Sequence, residues 1–300
     1  GRMATKKAVS TKKSAAKDSA SQPQAEPTVK AASTTSATKT VIRKRHESAL
    51  PSNLLNIIFA ELLGTFMLTI AAIGAATQFA PLYLGLTLLV IAVAVGAVSG
   101  AHINPAVTFG LWTMRKLKTA LVPFYWIAQL LGGALAVVVL NGLSGSAFKL
   151  SFEHFTTFNW AVFGVELVGA AVLMFGIAAA VSRVAELKQT GQAVGIGLSL
   201  AAAAIVAGGL LTQVQASVDT SSVQDIKHLP HELRAKSATL NPAVAIAATE
   251  APDSSFTGAQ ASRGETGYSR LSLEVIAGTL IGAALGGNLY LLVAGRKAES

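Results

Sequence analysis

Ser99-Gly100-Ala101-His102-Ile103-Asn104-Pro105-Ala106-Val107-Thr108, and its partial echo Leu240-Asn241-Pro242-Ala243-Val244, organise this chain. Asn-Pro-Ala reads as the start of a helix. Asn is a favoured N-cap, because its side-chain oxygen accepts one of the unpaired backbone N–H groups of the first turn. Pro suits the first helical position, where its missing N–H costs nothing. The cap uses the amide oxygen, so the amide nitrogen is expected to stay free to donate outward.

The surroundings of the two motifs are those of a bilayer protein. Mean hydropathy is +0.53 and only 13% of the 300 residues are charged, which excludes an ordinary soluble enzyme. Six apolar segments, at about 54–76, 82–98, 120–142, 161–181, 191–212 and 271–294, each approach the ~20 residues that span a bilayer. The motif segments, about 103–112 and 240–249, are too short to span. Short capped apolar helices suit re-entrant half-helices, which are tolerated where they line a cavity inside the protein.

The spans repeat. Glu61-Leu62-Leu63-Gly64 in the first matches Glu166-Leu167-Val168-Gly169 in the fourth, and Gln129–Leu135 in the third matches Thr279–Leu285 in the sixth. Each half is two spans, a half-helix and one span. Three crossings per half invert the second half relative to the first and set the half-helices end to end near the midplane. Two capped starts there bring together two amide donors and two positive dipole ends, which can hold a water or an alcohol and repel cations. Gly64, Gly132, Gly169, Gly282 and Gly286 read as close-packing positions rather than gates, Gly282-x-x-x-Gly286 being a small-residue pair of the kind that lets helices approach.

The spacing between halves is unequal. Glu61 to Asn104 is 43 residues, whereas Glu166 to Asn241 is 75, and the excess is mostly the polar stretch 213–238. A second insertion, about 250–270, follows the second motif. The first insertion carries His228, His231, Arg234 and Lys236 and reads either as a solvated loop or as a flap that brings Arg234 or Lys236 over the mouth.

Charge sits at one end. Residues 1–46 hold 11 Lys and Arg against 2 Asp and Glu, the whole of the formal +9, so the remainder is neutral. Lys, Ala, Ser and Thr without large apolar side chains cannot bury enough surface to order themselves. Residues 1–50 are therefore expected to be a disordered basic tail that touches anionic lipid rather than nucleic acid, with residues 51–295 forming the membrane domain (repeats at about 54–142 and 161–294). No short apolar region follows in the first 30 residues, so no cleavable signal peptide is expected. With the tail inside, 18 basic residues face the cytoplasm against 6 outside, which predicts both termini cytoplasmic in a plasma-membrane protein. The absence of cysteine excludes disulfides and thiolate chemistry.

From Ser99 to Thr108 the first motif resembles the loop of the major intrinsic protein family, the aquaporins and glycerol facilitators, and the likeness extends over roughly residues 54–294. That resemblance implies an all-α integral membrane protein with six transmembrane helices and two re-entrant half-helices in an inverted repeat. It implies a passive pore for water or small uncharged solutes, without cofactor or metal, in a homotetramer within the lipid bilayer. Asn104, Pro105, Ala106, Asn241, Pro242 and Ala243 correspond to the pore motifs. Glu61 and Glu166 correspond to glutamates that brace the re-entrant loops, and His102 to a brace or inner-mouth residue rather than a metal ligand. The family usually carries Arg directly after the second Asn-Pro-Ala; here Val244 stands there. By the same alignment Leu84 and Ala204 complete an apolar, wide filter. Alternatives are a facilitator for glycerol, urea or ammonia, a proton-coupled transporter using Glu61 and Glu166, and a closed membrane scaffold whose tail binds a partner.

Overall fold

The computed structural model describes residues 50–75, 79–144, 149–221, 223, 225–260 and 264–295. Of the basic tail expected at residues 1–50, residues 1–49 lie outside them. Among the described residues six helices are long and apolar enough to cross a membrane: α1 (Leu54–Gly74), α2 (Ala80–Ser99), α4 (Val122–Ser144), α5 (Trp160–Ser182), α6 (Val184–Ala216) and α10 (Leu273–Ala294). Their outward surfaces carry large apolar side chains, among them Phe59, Leu63, Val138, Leu143 and Leu292, which lipid solvates and water would not. Two shorter helices start at the motifs, α3 (Pro105–Thr113) and α8 (Pro242–Ala247).

The duplication is visible in the packing. Helix α1 lies against α2 and α4, and α5 against α6 and α10, while α2 against α6 joins the halves. Each half-helix packs chiefly on the last span of the other half, α3 on α10 and α8 on α4. Glycines make the approaches possible. A Cβ on Gly132 would collide with the Leu62 carbonyl oxygen, and one on the equivalent Gly282 with that of Leu167. Gly64 and Gly169 likewise leave room for the side chains of Ile103 and Leu240, the residues just before each motif Asn. Gly286 packs on the Ala171 carbonyl.

Two elements depart from the sequence reading. A helical turn at Val184–Leu187 precedes the continuous part of α6, which starts after the non-helical Lys188 (φ 56°, ψ 179°), near the expected 191. Helix α8 ends at Ala247, because the chain then turns extended and pairs with the second insertion. The Arg270 amide donates to the Ala248 oxygen (2.8 Å), Thr249 bridges Ser269, and the Glu250 amide donates to the Tyr268 oxygen (2.9 Å).

Parts of both insertions fold onto the protein, while Asp219, Lys227, His228 and residues 255–260 stay exposed. Strand β1 (Leu150–Ser151), between the two halves, pairs in parallel with β2 (Gly267–Tyr268) of the second insertion. The first insertion supplies α7 (His231–Arg234), and His231, Arg234 and Ala235 are buried. The second supplies α9 (Ser254–Thr257). All lie on the side where α1, α4 and α6 end, termed the insertion face below.

Candidate functional site

The two motifs are built alike. Asn104 and Asn241 take extended backbone (φ −160° and −154°) and cap their helices, Asn104 Oδ1 accepting from the Ala106 amide (2.8 Å) and Asn241 Oδ1 from that of Ala243 (3.0 Å). Each also reaches into the other half. Asn104 Nδ2 donates to the Leu240 oxygen at 2.7 Å, and Asn241 Nδ2 to the Ile103 oxygen at 2.9 Å. The expectation of a wholly free amide nitrogen is corrected: one of its two hydrogens is spent on the partner loop. Ile103 and Leu240 both stand at φ 56°, a left-handed conformation that costs a side-chain-bearing residue about 1–3 kcal/mol.

Two buried carboxylates hold these loops. Glu61 accepts from the His102 amide (3.0 Å), the Ile103 amide (2.7 Å), Ser99 Oγ (2.6 Å) and Gln129 Nε2 (2.8 Å). Glu166 accepts from the amides of Thr239 and Leu240 (both 2.8 Å) and from Thr239 Oγ1 (3.1 Å). Both are 0% exposed, so every oxygen needs a partner. The halves differ here. Thr279 replaces Gln129 in the repeat and bonds its own helix at the Val275 oxygen, while Arg270 Nη2 stands 3.6 Å from Glu166 instead. His102 stacks on Tyr125 (centroids 4.3 Å apart), and its Nδ1 lies 3.1 Å from Thr108 Oγ1.

Above the motifs a cavity of about 1000 Å³ runs from Ala75, Ser144 and Gln215 on the insertion face down to His102, Asn104 and Asn241. Leu84, Ala204 and Val244 line it together, and so do Lys236 and Arg270. Lys236 Nζ donates to Thr249 Oγ1 at 3.1 Å, and burial lowers its pKa. Arg270 is 2% exposed and also lies 3.8 Å from Glu274, with Nε and Nη1 unbonded. Arg234 does not line the cavity. Its guanidinium bonds Asp253 and the Ile226 oxygen (both 2.8 Å) and lies over Phe256, so it is a strut of the insertion. Arg270 is the residue that sequence reasoning missed. Its signal was Thr279, which leaves the buried Glu166 without the amide that Gln129 gives Glu61.

A second cluster lies in the insertions. His231 sits between the buried carboxylates of Glu250 and Glu274, with His154 Nδ1 3.0 Å from Glu250. Burial alone would lower the His231 pKa, but the two carboxylates raise it to about 9.

The sequence model of the major intrinsic protein family matches residues 48–214, more than half of the chain. The chain belongs to the major intrinsic protein family. The match stops where the first insertion begins. Among curated proteins the chain is 40% identical over 99 residues to Aquaporin Z of Photorhabdus laumondii, covering 29% of this chain and 43% of that one. It is 32% identical over 136 residues to Aquaporin NIP2-1 of Zea mays, covering 42% of this chain and 46% of that one. The chain thus spans less than half the length of these relatives. Among solved structures, the aquaglyceroporin from Plasmodium falciparum superposes with a TM-score of 0.51 at 19% identity, over 80% of this chain and 97% of that one. At that identity the likeness is one of fold. Like its family, this major intrinsic protein is a multi-pass membrane protein.

Proposed function

We propose that this major intrinsic protein is a passive channel for water and small uncharged solutes, not an enzyme, with its pore running past Asn104 and Asn241. The observation that carries this reading is that both amides line one cavity and each nitrogen keeps a second hydrogen after bonding the opposite loop. A solute oxygen crossing that point exchanges its water partners for two fixed donors, which offsets desolvation. The positive end of α3 and, more weakly, that of the six-residue α8 oppose cations there.

In this reading Leu84, Ala204 and Val244 form an apolar narrow part, and Arg270 and Lys236 supply the fixed positive charge near it. Glu61, Glu166 and His102 brace the loops rather than carry protons, because both oxygens of each carboxylate already accept hydrogen bonds. The excess of basic residues on the tail side supports cytoplasmic termini in the plasma membrane, and family membership supports a homotetramer. No nucleic-acid role is assigned to the tail. The apolar lining at Leu84, Ala204 and Val244 favours passage of a neutral solute besides water, such as ammonia or the larger glycerol and urea.

Stopped-flow shrinkage of proteoliposomes against several osmolytes, with and without a pH gradient, tests the proposal. Water flux above that of empty liposomes, insensitive to the gradient, is expected. Flux driven by the gradient would replace the channel by a coupled transporter, and no flux would leave a closed scaffold.

A further inference from the structure

Three segments far apart in the sequence bring His154, His231 and Glu250 to one point on the insertion face. One donor atom from each lies within 4.8 Å of the others. His154 stands on a 3₁₀ turn (Glu153–Thr156) between the repeats, His231 opens α7, and Glu250 follows α8 in the segment paired with Tyr268.

Both imidazoles are backed by a neighbouring side chain. His231 Nδ1 lies 2.5 Å from Glu274 Oε1, an ion-pair contact rather than an aligned hydrogen bond, and Glu274 is itself held by the Asn159 amide at 2.6 Å. A carboxylate against one imidazole nitrogen favours the ring proton on that side and raises the donor strength of the other, here Nε2, which faces Glu250. The His154 ring stacks on Tyr268, with centroids 4.2 Å apart and planes 15° apart, presenting Nδ1 to the other oxygen of Glu250. The His231 and Glu250 side chains are 7% and 1% exposed, while that of His154 is 26% exposed and leaves an approach from solvent.

We propose that His154, His231 and Glu250 bind a divalent transition-metal ion of the zinc class, with Glu274 as the outer carboxylate that orients His231. Two imidazoles and one carboxylate form a donor set used by zinc, with a fourth position left for water. A single carboxylate with two nitrogen donors does not suit the oxygen-demanding Mg²⁺ or Ca²⁺. The ion would pin the inter-repeat turn to both insertions. Ala248 and Thr249, next to Glu250, line the cavity, so the clasp stiffens the wall of the mouth. This site is independent of the transport reading.

The test is calorimetric titration of Zn²⁺ into the chelator-treated full chain in detergent, in the presence of excess Mg²⁺. One Zn²⁺ per chain is expected. His154→Ala, at a partly exposed position, should weaken it about tenfold or more, and Glu274→Gln should weaken it less. His228→Ala, removing an exposed imidazole outside the cluster, should leave it unchanged. Zinc X-ray absorption of the loaded wild type should show two imidazole nitrogens. No binding, binding that survives His154→Ala or depends on His228, or a shell of oxygens alone overturns the site and leaves an ion-pair cluster.

Discussion

The side-chain amide of Asn104 donates to the backbone oxygen of Leu240 across 136 residues of sequence, at 2.7 Å. Its counterpart, from Asn241 to Ile103, spans 138 residues at 2.9 Å. The two loops are therefore latched to each other at the point where their helices begin, and each latch needs a donor. Asn241→Asp keeps the cap but has no N–H for the Ile103 carbonyl. Leaving that buried oxygen unpaired should cost about 1–3 kcal/mol. A lower thermal midpoint in detergent and reduced water flux are expected; an unchanged midpoint would show that the latch contributes nothing.

Val244→Arg places a guanidinium fork in the apolar part of the cavity. Glycerol flux should fall by more than water flux. Equal effects on both would mean that Val244 does not stand at the narrowest point.

Arg270→Met removes the buried one of the two cavity cations while keeping most of its volume. Larger neutral solutes should pass faster, and cation leak should rise above that of the wild type. Because the change also leaves Glu166 and Glu274 without their neighbouring cation, the thermal midpoint should fall as well. Lys236→Met removes a more exposed cation from the same cavity. It should raise cation leak less; a larger rise than in Arg270→Met would assign the barrier to Lys236.

Glu61→Gln turns an acceptor of four hydrogen bonds into a group with one oxygen and an NH₂ that faces other donors. Orphaning one or two of the His102 and Ile103 amides and the Ser99 hydroxyl costs about 1–3 kcal/mol each. The variant should lose stability, and any protein that remains folded should still conduct without dependence on a pH gradient. A stable variant that loses gradient-driven flux would make Glu61 a proton carrier.

Mercurials block pores through thiols, and this chain has no cysteine. Water flux should survive mercurial treatment of proteoliposomes. Clear inhibition would mean that the block acts through another group.

Much of the architecture was legible because it is local. A span needs about 20 apolar residues, a cap needs Asn before Pro, and a repeat shows as Glu-Leu-x-Gly written twice. Those features are encoded within a few turns of chain, so the sequence by itself determined the six spans, the two half-helices and the inverted duplication. It also located Val244 at an unusual position. What only the tertiary structure decided depends on residues distant in sequence. The Arg270–Ala248 pairing ends α8 after six residues, and Arg270, counted in the sequence only as a loop charge, lies buried beside Glu166 in the cavity wall. Arg234, a candidate for that place, is drawn instead to Asp253. His154, His231 and Glu250 meet from three segments whose own periodicity says nothing of one another. Polar insertions have no hydrophobic repeat to betray where they fold; their positions follow from which buried charges must find partners, and that is settled only when the whole chain has packed.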